Sequence, residues 1–335
     1  MKSTLKYAAL VAGILLLLVL FGALALYVST DGDYVVPATV SGDPSLPRVE
    51  IDGYNFHAER YGDPANPTVI VVHGGPGGDY RSLLGLQALA DDFHVVFYDQ
   101  RGAGLSDRVP ADQLTYQSSL RDLDAIIDHF GGGKPVHLIG HSWGAMLASG
   151  YLGVAPHKVA KAVLAEPGFL SAQEARDWQA YYGRLMPSPE YLWLALRAGF
   201  AAQHVQGPDS FAAEDFLVGA NILPYFVNHP DNPYHCPGEP YDAPMWRWGS
   251  TASTAIQSSA TDAELDSLGA HAGSFEKPVL FLAGACNSWI GPELQARHAA
   301  IYPDATLEVI PDAGHDMFWD NPEATLDAVR AFLNG

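Results

Sequence analysis

The feature that most constrains the fold is the pentapeptide Gly-His-Ser-Trp-Gly at residues 140–144, because of what flanks it. An apolar, strand-like stretch, residues 135–139, precedes it, and good helix formers, residues 145–148, follow it. A strand, a sharp turn and a helix in this order form a nucleophile elbow, in which a strained turn lifts the serine hydroxyl out of a sheet. The flanking glycines are expected because a side chain there would collide with the neighbouring strand and helix. The pattern predicts Ser142 as a catalytic nucleophile, with a purely structural turn as the alternative.

Composition and charge limit the classes of protein to which the chain can belong. The chain has 335 residues, 48% of them hydrophobic, which suffices for a large core in one domain with an insertion or in two domains. Its formal net charge is −20, and an acidic surface repels phosphate backbones, so no nucleic-acid partner is expected. The sequence holds no His-Glu-x-x-His motif, phosphate-binding loop or dinucleotide fingerprint, so neither a metal nor a cofactor is expected.

The first 30 residues differ from the rest of the chain. Two lysines precede an uncharged run, residues 7–28, which at about 1.5 Å per residue would reach roughly 33 Å as a helix and cross a lipid bilayer. Because lysines come before the run and Asp31 after it, the N-terminus is expected in the cytoplasm. Residues 1–30 are therefore predicted as a single-pass transmembrane signal-anchor, with the catalytic part periplasmic or extracellular.

Two other interpretations of this segment stay open. Ala23–Ala25 resembles the cleavage site of a secretory signal peptide, although the apolar run is long for one. A buried core helix is the remaining alternative. Residues 31–47 hold Asp, Gly, Pro and Ser without periodicity, which predicts a linker.

Strand-like and helix-like segments alternate after residue 47. Several strands are continuous runs of Val, Ile and Leu, as expected for parallel strands covered on both faces. The alternation predicts an α/β fold with a mostly parallel sheet of eight strands and right-handed crossovers. The predicted strands are 48–51, 55–61, 68–73, 94–98, 136–139, 162–165, 279–283 and 306–310. The predicted helices are 82–90, 116–130, 143–153, 293–301 and 323–333.

The alternation is interrupted after the sixth strand. Residues 168–274 are aromatic-rich and helix-like, without a strand-like run, and the sheet resumes near residue 279. An insertion of this kind predicts a helical cap over the strand ends. Residues 48–167 and 275–335 would then form the core of the fold.

A serine hydroxyl needs a neighbouring base to act as a nucleophile at neutral pH. His315 lies on a short Gly-containing loop after the last predicted strand, where an imidazole can reach Ser142. The developing oxyanion needs backbone N–H donors. Trp143, directly after the nucleophile, and Gly75, in the Gly-rich loop at residues 73–78, are the predicted donors.

Three motifs together resemble the proline iminopeptidase family of α/β-hydrolases. They are His-Gly-Gly-Pro-Gly at residues 73–77, Asp-Gln-Arg-Gly at 99–102 and the serine pentapeptide, in family order. The resemblance covers roughly residues 48 to 335. It implies a serine hydrolase with a helical cap after the sixth strand, and the same roles for Ser142, His315, Gly75 and Trp143. Asp99 and Arg101 are expected to brace their loop rather than to take part in catalysis.

The chain departs from the family at the catalytic acid. The family's acid follows the seventh strand in a Gly-x-x-Asp pattern, but here that place reads Gly-Ala-Cys-Asn and ends at Asn287. Glu166, at the end of the sixth strand, can replace it, because some α/β-hydrolases carry the acid there and the order Ser, acid, His is kept. Glu166 is the predicted triad acid. Asn287 as a neutral substitute and Asp316 as a nearby carboxylate stay open.

A second departure concerns substrate recognition. Family aminopeptidases hold the substrate's amino group with glutamates of the cap, one of them after a Trp-x-x-Trp-like element. Here Trp-Arg-Trp at residues 246–248 is followed by Gly and Ser. Glu239, Asp242 and Glu214 are possible replacements, and strict removal of N-terminal proline is in doubt.

The predicted activity is hydrolysis of a small amide or short peptide through an acyl-enzyme. Carboxylic ester or acyl hydrolysis is the first alternative. The second alternative is a catalytically silent protein of this fold that binds a ligand. Asn287, at the family's acid position, keeps this alternative open. The two cysteines, Cys236 and Cys286, are either a disulfide or two free thiols.

Overall fold

The computed structural model describes residues 2–186, 188–238 and 240–335. The predicted acid Glu239 and the side chain of Lys2, one of the lysines before the apolar run, lie outside the described residues. The strands are β1 Arg48–Ile51, β2 Tyr54–Tyr61, β3 Thr68–Val72, β4 His94–Tyr98, β5 Val136–His141, β6 Val159–Ala165, β7 Val279–Gly284 and β8 Ala305–Ile310. They form one sheet in the order β1-β2-β4-β3-β5-β6-β7-β8.

The sheet is parallel from β4 to β8, and only the pairs β1–β2 and β2–β4 are antiparallel. β3, β4 and β5 are buried along their whole length, because helices cover both faces of the sheet. The covering helices are α2 Tyr116–Gly131, α3 Trp143–Val154, α10 Pro292–Ala299, α11 Met317–Asp320 and α12 Pro322–Asn334. The predicted eight-stranded, mostly parallel α/β fold is confirmed.

One predicted helix has a different geometry. Residues 82–90 were expected as an α-helix, but Arg81–Asp91 is a 3₁₀ helix. Leu83, Leu86 and Leu89 are its buried residues, and they recur at intervals of three. A helix with three residues per turn places all of them on the face that meets the sheet.

Helices make up much of the described part of the segment between β6 and β7, but the described residues of 228–249 have an irregular backbone. The helices are α4 Ala172–Leu185, α5 Pro189–Ala201, α6 Ala212–Leu217, α7 Leu223–Val227, α8 Ser250–Ser259 and α9 Asp262–Ala270. A π-helical turn, Val218–Ile222, joins α6 to α7. This inserted helical segment follows the carboxyl end of β6, the edge at which Ser142 also lies.

The N-terminal residues form one long helix, α1 Lys2–Ser29. The most apolar 18-residue window of its stretch Lys6–Ser29 has a mean hydropathy of 2.9 and is not buried, so the stretch is long and apolar enough to cross a membrane. The predicted linker, residues 31–47, has an irregular backbone but packs against the rest of the chain. Val40 is fully buried, and its amide donates to Leu105 O at 2.8 Å.

A disulfide joins Cys236, in the inserted segment, to Cys286, in the loop after β7. The two cysteines are 50 residues apart in the sequence. By the chain-entropy model, cross-linking a loop of this length stabilises the fold by about 4 kcal/mol.

The double variant Cys236→Ser, Cys286→Ser should therefore lose about that much free energy of unfolding, because its unfolded chain is less restricted. Urea titration of the oxidised protein and of the variant measures the difference. Equal unfolding midpoints would contradict the prediction.

Candidate active site

Ser142 occupies the sharp turn between β5 and α3. Its backbone has φ 55° and ψ −120°, a conformation that costs a non-glycine residue about 1–3 kcal/mol. The Ser142 amide donates to Ala165 O at 2.8 Å, which ties the turn to the end of β6. The surrounding fold therefore holds the strained serine in place.

The two flanking glycines are there for the predicted reason. A Cβ at Gly144 would lie 2.0 Å from Val72 O in β3, and one at Gly140 would lie 2.5 Å from Gly144 O. Both distances are far below van der Waals contact. Any side chain at either position would separate the helix from the strands and move the serine.

Glu166 follows β6 directly and is fully buried. One carboxylate oxygen, Oε1, accepts a hydrogen bond from Gly284 N at 2.7 Å. The other, Oε2, lies 2.7 Å from His315 Nδ1 and accepts from Asn287 Nδ2, also at 2.7 Å. The structure thus brings Glu166 to the predicted base and places Asn287 against Glu166 rather than against the imidazole.

The amide of Asn287 is held on both sides. Its Oδ1 accepts from the backbone amides of Trp289 at 3.0 Å and Ile290 at 3.1 Å, and only 2% of the residue is exposed. These two donors fix which way the amide faces, because its NH₂ group must then point to Glu166. This contact could not be predicted from the sequence, because it depends on the path of the loop after β7.

Two residues besides Glu166, Tyr234 and His141, hold His315 in place. Its ring stacks on Tyr234 with centroids 4.6 Å apart, and its amide donates to Tyr234 O at 2.7 Å. His141 Nε2 donates to His315 O at 2.8 Å. Tyr234 belongs to the inserted segment, so that segment helps to position the imidazole.

Ser142 and His315 line the same cavity. Within the described part of the chain, Ser142 Oγ makes no hydrogen bond. Such contacts are commonly long without substrate and tighten when it binds. Since Nδ1 of His315 is engaged by Glu166, Nε2 is the ring nitrogen that can take a proton.

Burial shifts the pKa values of both members of this pair. It raises the pKa of Glu166 well above its usual range, and the hydrogen bonds from Gly284 and Asn287 oppose that shift. It lowers the pKa of His315 to about 3, because an imidazolium would lose its hydration. The imidazole is therefore neutral at neutral pH, which is the form that a general base requires.

The Gly-rich loop at residues 73–78 lies against Ser142. A Cβ at Gly74 would be 2.9 Å from Ser142 Cβ. Gly75 has φ +47°, and a Cβ there would be 2.8 Å from the Trp248 ring. Gly249 N also donates to Gly77 O at 2.7 Å, which fastens the loop to residues 246–249.

The amides of Gly75 and Trp143 have no hydrogen-bond partner among the described residues. Side chains that the sequence did not single out brace the two segments that carry them. Gln100 N donates to His73 Nε2 at 2.9 Å, and Trp143 Nε1 donates to Gln100 Oε1 at 3.0 Å. Gln100 belongs to the Asp-Gln-Arg-Gly motif, which is the signal that could have found it.

Asp99 and Arg101 are structural, as the sequence indicated. The buried Asp99 carboxylate lies 2.7 Å from His57 Nδ1 and accepts from Leu105 N at 2.8 Å. Arg101 pairs with Asp122, with Nε 2.9 Å from Oδ2. Both residues hold the loop after β4.

The cavity beside Ser142 has a volume of about 530 Å³ and mostly apolar walls. Aromatic side chains dominate its lining, namely Trp143, Phe169, Trp178, Tyr182, Phe226, Tyr234, Tyr241 and Trp248. Among the described lining residues, the acidic ones are Asp79 and Asp316, and none is Lys or Arg.

The two acids differ in how their carboxylates are used. Asp79 accepts from the amides of Arg81, Trp246 and Arg247, so its oxygens hold residues 246–247 in place. Asp316 is buried, with 9% of the residue exposed, and its side chain has no hydrogen-bond partner among the described residues. Burial, together with the nearby Asp320 and Glu166, raises the pKa of Asp316 well above its usual range.

Two of the acids suggested by the sequence are not in the cavity lining. Glu214 is exposed and does not line the cavity. Asp242 is exposed and accepts from Trp319 Nε1 at 2.7 Å. Glu239 lies outside the described residues. Asp316 was considered only as a triad acid, and its place in the cavity wall could not be found without the side-chain directions.

Comparisons with known proteins agree with this architecture. The family model described as the alpha/beta hydrolase fold matches residues 67–322. A proline iminopeptidase of Heyndrickxia coagulans is 25% identical over 296 residues, which cover 85% of this chain and 97% of that protein. Epoxide hydrolase A of Mycobacterium tuberculosis is 26% identical over 320 residues, which cover 88% of this chain and 98% of that protein.

A solved structure gives the same result. The proline iminopeptidase-related protein of Thermus thermophilus superposes with a TM-score of 0.60 at 22% identity, over 87% of this chain and 98% of that one. The similarity to proline iminopeptidases that the sequence motifs indicated is thereby confirmed. With its eight-stranded sheet and the family match over most of its length, the chain belongs to the α/β-hydrolase fold family.

Proposed function

We propose that the protein is a serine hydrolase that works through an acyl-enzyme. The observation that carries the proposal is the buried His315–Glu166 pair, joined at 2.7 Å, whose imidazole lines the same cavity as the strained Ser142. Ser142 Oγ attacks the carbonyl carbon of the substrate while His315 Nε2 takes its proton. Glu166 keeps Nδ1 protonated and offsets the charge of the imidazolium that forms.

The later steps use the same groups. The amides of Gly75 and Trp143 donate to the oxyanion of the tetrahedral intermediate. His315 then gives its proton to the leaving group, and the acyl-enzyme remains on Ser142. Water, deprotonated by His315, attacks the ester and releases the acid. Asn287 acts as a positioning residue, since its NH₂ group holds the Glu166 carboxylate.

We propose the inserted helical segment as a cap over this site, and α1 as a membrane anchor that leaves the catalytic part outside the cytoplasm. The apolar stretch Lys6–Ser29 and the charged residues that follow it support the anchor. The anchoring and the chemistry are independent proposals, because the catalytic groups lie in residues 75–315 and none of them is in α1.

The proposed substrate is a small amide or short peptide with a free amino group. Asp316 supports this choice, because an unpaired carboxylate in an apolar cavity is stabilised by a bound ammonium group. Aromatic walls also favour cations. Recognition would then come from a side chain next to the base rather than from the position after Trp248.

The substitution Asp316→Asn tests this role. We expect kcat/KM for an aminoacyl naphthylamide to fall about 10–100-fold. This factor corresponds to the free energy of one hydrogen bond to a charged group. Turnover of an uncharged nitrophenyl ester should change little. Asp242→Asn, which removes an exposed charge nearby, is the matched control. Equal losses on both substrates, or no loss on the amine substrate, would contradict the assignment.

Ester or acyl hydrolysis is the second candidate, and the predominantly apolar wall of the cavity favours it. A panel of aminoacyl naphthylamides and nitrophenyl esters separates the two candidates. Turnover of esters alone would end the peptidase proposal and leave the serine hydrolase chemistry standing.

Reaction with a fluorophosphonate probe tests the chemistry itself. An activated serine becomes covalently labelled, whereas a silent binding protein does not. We expect the wild-type protein to be labelled and heat-denatured protein to be inert. A folded wild-type protein that stays unlabelled would favour the binding protein.

A further inference from the structure

We propose that α5 rests on the surface of the lipid bilayer that α1 crosses, with Leu192, Trp193 and Leu196 in contact with lipid. The inference rests on the proposed membrane anchor and is independent of the reaction that Ser142 performs. It assigns a second membrane contact, located on the inserted helical segment.

The apolar face of α5 is open to solvent in the protein alone. Leu192, Trp193 and Leu196 are 67%, 53% and 46% exposed. Their spacing, one and four residues apart, places them on one side of the helix. The tryptophan is informative, because its amphipathic ring is enriched at the boundary between lipid and water.

The anchor brings this helix to the membrane. His204, in the 3₁₀ turn that continues α5, packs on Tyr27 of α1 with ring centroids 4.3 Å apart. His204 Nε2 also donates to Tyr27 O at 2.8 Å. Tyr27 lies at the end of the apolar stretch, just before Asp31, which is the level of the bilayer surface.

The segment that follows α1 keeps the catalytic part from turning away. The Tyr34 ring lies 4.6 Å from that of Phe216, and Arg247 Nη1 donates to Pro37 O at 2.9 Å. With Val40 buried as well, residues 30–47 form a fixed connection rather than a flexible tether. The bilayer is therefore the occupant that the geometry favours, because it lies beside α5 whenever α1 is inserted.

The position of Arg197 on α5 agrees with a lipid surface. Arg197 is exposed, adjacent to Leu196 and one helical turn from Trp193. A guanidinium group pairs well with lipid phosphates while the neighbouring apolar side chains enter the boundary region, to a depth of about 5–10 Å.

The contact lies close to the cavity. α5 packs against the π-helical turn Val218–Ile222, and both end residues of that turn line the cavity beside Ser142. One layer of helix thus separates the proposed lipid contact from the substrate, so substrates dissolved in the bilayer would reach the cavity over a short path.

Site-specific fluorescence in the full-length protein tests the proposal. Both native cysteines are joined in the disulfide, so a single introduced thiol can be labelled selectively. The variants are Leu196→Cys on α5, Leu17→Cys within α1, and Val154→Cys as the control. Val154 is 62% exposed at the end of α3, on the edge of the sheet away from Ser142.

Each variant carries an environment-sensitive label in phospholipid nanodiscs. Lipids with a nitroxide near the glycerol end of the chain should quench the label at residue 196, and aqueous iodide should not. The label at Val154 should show the opposite behaviour. Nitroxides near the methyl end of the chain should quench the label at residue 17.

Iodide quenching at residue 196 as strong as that at Val154 would overturn the proposal. Protection at residue 196 from both iodide and nitroxide would also overturn it, since another protein, such as a second copy, would then cover α5. If the label at residue 17 is not quenched by lipid, the anchor itself is wrong and the inference falls with it. Quenching at residue 17 without quenching at residue 196 refutes only the contact of α5.

Discussion

Replacing Ser142 by alanine is expected to lower kcat/KM by about 10⁵–10⁶-fold, because the nucleophile is the one group whose loss ends covalent catalysis. The same variant should lose all labelling by a fluorophosphonate probe. The measurement is the turnover of the substrate identified with the panel of aminoacyl naphthylamides and nitrophenyl esters. The small residual rate would come from the oxyanion donors and from substrate binding.

The control for this variant is Ser274→Ala, which removes an exposed hydroxyl that does not line the cavity. It should react and unfold like the wild type. Ser142→Ala itself should unfold at a temperature no lower than the wild type, since alanine adds no polar atom to the strained turn. Labelling that persists in Ser142→Ala would show that another residue is the nucleophile.

The substitution Glu166→Gln is expected to lower kcat by about 10⁴-fold. The carboxylate accepts from three donors, on Gly284, Asn287 and His315. A glutamine must turn its NH₂ group toward at least one of them. If that one is His315 Nδ1, the imidazole moves its proton to Nε2 and can no longer accept one from Ser142.

The matched variant is Asn287→Ala, which keeps the charge of Glu166 and removes one donor to it. Its kcat should fall about 10–100-fold, which corresponds to the free energy of one hydrogen bond to a charged group. Thermal unfolding of both variants separates loss of activity from loss of folding. A Glu166→Gln protein that is folded and works within tenfold of the wild type would refute the role of Glu166.

The sheet could be predicted from the sequence because its strands are continuous apolar runs that end in turn residues. His94–Tyr98 was predicted to the residue, and the β6 strand was predicted three residues short, since it begins with the mixed residues Val159–Lys161. The turn at Ser142 was predictable, because its flanking glycines are required by the close approach of backbone atoms alone. The contact between Glu166 and His315 was predictable, because the position of Glu166 at a strand end fixes its place along the sheet edge.

What could not be predicted depends on side-chain direction and loop path. Asn287 follows a strand at the family's usual acid position, yet its role depends on a loop that turns its amide to Glu166. Asp316 follows the predicted base, and only the fold shows that it is buried in the cavity wall without a partner. The disulfide needed the distance between Cys236 and Cys286, and residues 31–47 gave no pattern that reveals their packing.

The attachment of residues 246–249 to the Gly-rich loop limits how the site can open. Trp248 lies against Gly75, and Gly249 N bonds to Gly77 O. If residues 246–249 moved to admit a molecule, they would displace the Gly-rich loop, and with it the oxyanion donor proposed at Gly75. An opening elsewhere in the cavity wall would leave this loop in place.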